Sequence, residues 1–100
     1  MADKPYDNAI LNEREATHGD YAVTARVSQQ LKRVIHGNLS ERGVVIPFTH
    51  SESLDLICTK IARLVAGDLN CVDTWDDIAG YAELIASGIR RKTQSDVPRH

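Results

Sequence analysis

The sequence predicts an all-α protein, a compact bundle of three long helices preceded by a short N-terminal one. Three observations carry that expectation. Apolar residues recur every three or four positions over 21–35, 49–66 and 73–91, the period of a helix with one buried face. Polar capping residues or glycines bound these stretches. The connection Gly67–Val72 is short enough to make the last two helices antiparallel neighbours.

The first segment, Asp7–Ala16, is short and weakly amphipathic, with Ile10 and Leu11 as its apolar contacts. Gly19 can take a left-handed backbone there, and Asp20 is a good N-cap for the next helix. That helix, Tyr21–Ile35, carries a core stripe of Val23, Val27, Leu31, Val34 and Ile35, and His36-Gly37-Asn38 is expected to end it. The connection 37–50 is long for a small bundle. Its Val44, Val45, Ile46 and Phe48 are expected to pack back onto the helices, with Val44–Ile46 as a short strand and no other β-structure.

Thr49-His50-Ser51-Glu52 reads as a capping box for the third helix. Leu54, Ile57, Cys58, Ile61, Leu64 and Val65 share one broad face of it, and Gly67 is the expected left-handed stop. Asp73 is the expected cap of the fourth helix, which runs to about Arg91 with Arg90, Arg91 and Lys92 offsetting its C-terminal dipole. Trp75, Ile78, Ala79, Ala82, Ile85 and Ile89 form one stripe, in which Trp75 is expected to be largely buried. Gly80, Tyr81, Leu84 and Gly88 form a second, and the two glycines suggest a close backbone approach. Residues 1–92 read as one helical domain and 93–100 as a disordered tail.

A chain of 100 residues buries only about two-thirds of its unfolded surface, so self-association is a natural supplement to its core. The net charge of −2 provides no basic field for nucleic acid, and no DNA partner is expected. Two cysteines outside any CxxC pair suit a reducing compartment. The start of the chain lacks the pattern of a signal peptide, and no apolar run is long enough to span a membrane, so a cytoplasmic location is expected.

Two stretches resemble a family of short, functionally uncharacterised phage and prophage proteins. The resemblance rests on Glu13, Arg14 and Thr17–Tyr21; on Asp55, Lys60, Ile61, Ala62 and Arg63; and on Asp73, Trp75, Asp77, Gly80 and Tyr81. It implies a phage-encoded accessory protein working in the host cytoplasm. A more distant likeness is to the all-α nucleoside triphosphate pyrophosphohydrolases of the MazG type, which hold Mg²⁺ with carboxylate pairs on helices. Glu52 with Asp55 and Asp73 with Asp77 have that spacing, and the enzyme reading would bring Mg²⁺ with it. The Glu-Glu-x-x-Glu that anchors metal in those enzymes is missing, while Lys60 and Arg63 stand on the helix that should be acidic. A non-enzyme with no resident cofactor is the favoured expectation.

Two function classes follow. In the first, a nucleotide or phosphate binds at a polar site made by His18, Asp20, Lys32, Asp55, Lys60, Arg63, Asp77 and Tyr81, in a homo-oligomer. In the second, a non-enzymatic oligomer binds a host or phage protein through apolar helix faces, and the same charges are interhelical ion pairs. Among the aspartates, Asp77 is assigned to pairing with Lys60 or Arg63, with Tyr81 donating to one of the carboxylates, and Asp76 to solvent.

Overall fold

The computed structural model describes residues 19–96. The expected helix over Asp7–Ala16 and the candidate site residue His18 lie outside them. Three helices make up the described chain: α1 Tyr21–Glu41, α2 Phe48–Ala66 and α3 Val72–Asp96. No strand occurs among the described residues, and 44–47 is irregular backbone rather than the expected short strand.

Asp20 starts α1 as expected. Its extended backbone turns the chain into the helix, and Oδ1 accepts from the Ala22 amide at 3.0 Å. The helix then runs through the expected stop at His36-Gly37-Asn38 to Glu41. Gly37 faces open space with a helical backbone, so it costs propensity without ending the ladder. The working stop is Gly43, at φ +68°. The Gly43 amide donates to Ser40 O at 3.0 Å and the Val44 amide to Leu39 O at 3.0 Å, the paired bonds of a Schellman ending.

The next two helix starts differ from the sequence expectation in the same way, each arriving early. Pro47 occupies the N-cap of α2 with φ −60° and no side-chain cap, so Thr49 already lies in the first turn. The Thr49–Glu52 capping box is therefore not formed, and Thr49 Oγ1 meets His50 Nδ1 at 3.2 Å. At α3, Cys71 stands where Asp73 was expected to cap. Its carbonyl accepts from the Thr74 and Trp75 amides at 3.1 and 3.3 Å, and its Sγ accepts from Thr74 Oγ1 at 3.3 Å. Asp73 sits inside the first turn, where its charge still meets the favourable end of the dipole. Gly67 ends α2 at φ −126°, not in the left-handed region. α3 continues to Asp96, so 93–96 are helix rather than the expected tail, and 97–100 lie outside the described residues.

The order of packing follows from α2. At about 100° per residue, Ser53, Ile57, Lys60 and Leu64 fall on one side of it, and Asp55, Cys58, Thr59, Ala62 and Ala66 roughly opposite. The first side meets α3 and the second meets α1. Since the two neighbours lie on opposite sides of α2, α1 and α3 do not pack on one another. The all-α helical bundle expected from sequence is present, and among the described residues its three helices lie as a layer with α2 in the middle.

Small side chains set both seams. Ala62 and Cys58 are buried toward α1, facing the buried hydroxyls Thr24 and Ser28. Thr59 Oγ1 donates to Asp55 O at 3.1 Å, which leaves Ser28 as the donor in its 3.2 Å bond to Thr59. At the end of this seam Gly19, at φ +80°, lies against the C-terminus of α2 so closely that a Cβ would stand 2.2 Å from Ala66 O.

The residues expected to fill the core mostly do not. Val45 and Phe48 are both 93% exposed, and Trp75 is 52% exposed with its indole Nε1 donating to Leu69 O at 2.8 Å. Val34 and Val65 are exposed as well. Among the described residues, no atom beyond the helix itself comes within 4 Å of a Cβ built on Gly80 or Gly88, so neither glycine admits a neighbouring backbone from them.

Gly19→Ala should therefore lower stability in urea titration by about 2 kcal/mol or more, from left-handed strain and collision with Ala66. Gly80→Ala, in open space on a helix, should raise it by about 0.5–1 kcal/mol.

Candidate functional site

The helix phases that order the layer also sort its two sides. One side is polar. α1 presents Lys32 and His36 toward it, α2 presents Lys60 and Arg63 with the edge of Asp55, and α3 presents Asp77 with Tyr81 partly covered beside it. Six of the eight residues expected to bind a ligand thus come to one side of the protein. Asp20 does not join them: it sits at the start of α1 with one carboxylate oxygen committed to its cap.

Two ion pairs dominate this side. Lys60 Nζ lies 2.9 Å from Asp77 Oδ2, the pairing expected for Asp77. The Lys60 stem is mostly covered while the Asp77 carboxylate is half exposed, so the ammonium reaches along the seam to a wet partner. His36 Nε2 lies 2.7 Å from Asp55 Oδ1 and joins α1 to α2. His36 was not among the expected site residues. Its position four residues after Lys32, on the same helix face, was the available signal.

Among the described residues, Lys32 and Arg63 form no ion pair and Tyr81 makes no hydrogen bond, so the donation expected of Tyr81 is absent. Nor does any group of three His, Cys, Asp or Glu side chains among them have metal-holding geometry. The carboxylate pairs Glu52–Asp55 and Asp73–Asp77 thus do not converge as a Mg²⁺ site would require. Asp76 is exposed, as expected.

Cys58 lies in the α1–α2 seam. Burial, and secondarily the negative charge of Asp55, push its thiol above the ordinary 9.0, with Lys32 opposing. It is a packed thiol rather than a nucleophile. On α3, the Ser87 hydroxyl and then Arg90 hold the Glu83 carboxyl below its usual range.

A cleft of about 300 Å³ lies away from these residues, between the start of α2 and the last turns of α3. Thr49, His50, Arg91 and Lys92 give it a polar rim over Leu84, Ile85 and Ile89. From the sequence, Thr49 and His50 read only as capping residues and Arg91 and Lys92 only as dipole compensation, because nothing in a linear pattern places 49–50 beside 91–92.

No family model, curated protein or solved structure matches this chain. No helix among the described residues is long and apolar enough to cross a membrane.

Asp77→Ala should cost only about 0.5–1 kcal/mol in chemical denaturation, since its carboxylate is half in water and screened. A folded-state pKa raised at Cys58 means that its contribution is present below the unfolded value and lost above it. Stability should accordingly fall as pH rises beyond about 9, and Cys58→Ala should flatten that decline.

Proposed function

We propose that this protein is a non-enzymatic interaction module that works by docking another protein chain onto the apolar side of its helical layer. The observation that carries the reading is the surface opposite the polar side. Helix phase brings Val23, Val27 and Val34 of α1, Leu54, Ile61 and Val65 of α2, and Val72, Trp75 and Ile89 of α3 to that one side. None of these nine is buried. Among the described residues the fully buried apolar ones, by contrast, are Cys58, Ala62 and Leu64.

An apolar surface that runs across three helices is a common mark of a protein–protein contact. The stripes that sequence reading took for a core are thus half of one, completed by another chain. The resemblance to short phage proteins supports an accessory role of this kind.

The nucleotide or phosphate reading keeps one specific support. Lys32 and Arg63 are cations without ion pairs among the described residues, on the polar side with Lys60 and Tyr81. Stabilisation in a thermal-shift screen by nucleotides, lost in Arg63→Ala, would favour it, whereas a flat screen removes it.

The interaction reading predicts that Val34→Glu combined with Val65→Lys preserves helix content by circular dichroism. The same pair should abolish self-association and the binding of an apolar-surface dye. A wild-type chain that sediments as a monomer at about 100 μM and binds no dye overturns the reading.

A further inference from the structure

We propose that the cleft between the start of α2 and the last turns of α3 binds a small amphipathic anion, a carboxylate or phosphate head on an aliphatic or aromatic body. This site stands apart from the apolar side of the layer, with Ile89 alone common to both.

Its lining has the two parts that such a ligand needs. Leu84, Ile85 and Ile89 supply an apolar floor, and Arg91 and Lys92 supply positive charge at the rim. Among the described residues no acidic side chain lines the cleft, and neither cation forms an ion pair. On a chain of net charge −2 this is a local reversal of sign, and it selects an anion.

Compensation of the α3 dipole does not account for these two cations. α3 runs on to Asp96 and its last turn holds no basic residue, so Arg91 and Lys92 stand ahead of the turn where the dipole is felt. The dipole of α2 does reach the cleft. Thr49 and His50 belong to its first turn, which has neither a side-chain cap nor an acidic residue. The Ser51 amide donates to Pro47 O at 2.9 Å and starts the ladder, so the amides of Phe48, Thr49 and His50 precede it. An anionic head at the rim thus meets the favourable end of α2 as well as the two side chains. Thr49 Oγ1 and His50 Nδ1 engage one another at 3.2 Å, which leaves His50 Nε2 for a ligand.

Gly88 forms part of the wall. A glycine inside a helix costs stability, and among the described residues nothing lies within 4 Å of a Cβ built there. No packing neighbour among them demands it, and what its missing side chain leaves is cleft volume. At about 300 Å³ the cleft is at the small end of ligand sites, which limits the body to a short acyl chain or a single ring.

The test titrates the full chain with octanoate, octyl phosphate, octanol and inorganic phosphate, followed by backbone amide NMR shifts. At least one of the two amphiphiles should move the amides of 48–51 and 84–92 with a Kd of about 1 mM, the range for so small a ligand. The tighter of them identifies the head. Octanol and inorganic phosphate should each bind about tenfold or more weakly, because each lacks one of the two parts. Gly88→Leu fills the cleft from a position with room for it, so it should keep the fold by circular dichroism and abolish binding. Arg91→Ala with Lys92→Ala should weaken binding about tenfold or more. Val34→Glu with Val65→Lys, which disables the docking side, should leave it unchanged.

Binding that persists in Gly88→Leu, or that is lost in Val34→Glu with Val65→Lys, places the amphiphile on the apolar side and overturns the site. Octanol binding as tightly as octanoate leaves the cations no part, and inorganic phosphate matching octyl phosphate leaves the floor none; either overturns it too. So does the absence of shifts at 48–51 and 84–92 up to about 20 mM, well above that Kd.

Discussion

Everything in this protein depends on α2 having two seams on opposite sides. A helix can bury only what its neighbours reach, and here they reach it roughly half a turn apart. Ser53 and Leu64 go to α3, while Cys58 and Ala62 go to α1. With the outer helices so placed, no closed core can form between them. The layer follows, and with it the division of the surface into a polar and an apolar side.

The α1–α2 seam is held by small groups and paired polar ones, whereas Leu64 is buried in the α2–α3 seam. Gly19 against Ala66, and the hydroxyls of Ser28 and Thr59, bring α1 close to α2. The Lys60–Asp77 and His36–Asp55 pairs then bridge the seams from their wet side. Paired charges at a partly exposed seam select register more than they add stability. These pairs occupy much of the polar site that the sequence suggested, so the same residues serve architecture first. Many of the larger apolar groups, Val34, Val65 and Trp75 among them, remain exposed on the opposite side.

The helices and their type were legible in the sequence because periodicity, Asp20 and the breakers all act locally. Their ends were less so. At 36–38 a glycine suggested a stop, but one exposed glycine costs too little to end a helix that a Schellman turn can finish at Gly43. At Pro47 and Cys71 the helices begin before the side chains that could have capped them. Of the candidate site, the Lys60–Asp77 pair was readable from helix phase, whereas His36–Asp55 joins residues 19 positions apart and depends on which way α1 faces.

The sequence by itself determined which residues are apolar, that they form helical stripes, and that α3 is acidic at one end and basic at the other. Such properties belong to single segments and need no neighbour. Only the tertiary structure decided that the stripes of Val23, Leu54 and Trp75 line up on an open side instead of closing on one another. An apolar stripe has no direction of its own beyond its helix. Whether it is covered or left exposed is set by where the two seams of α2 lie, which depends on how the three helices meet.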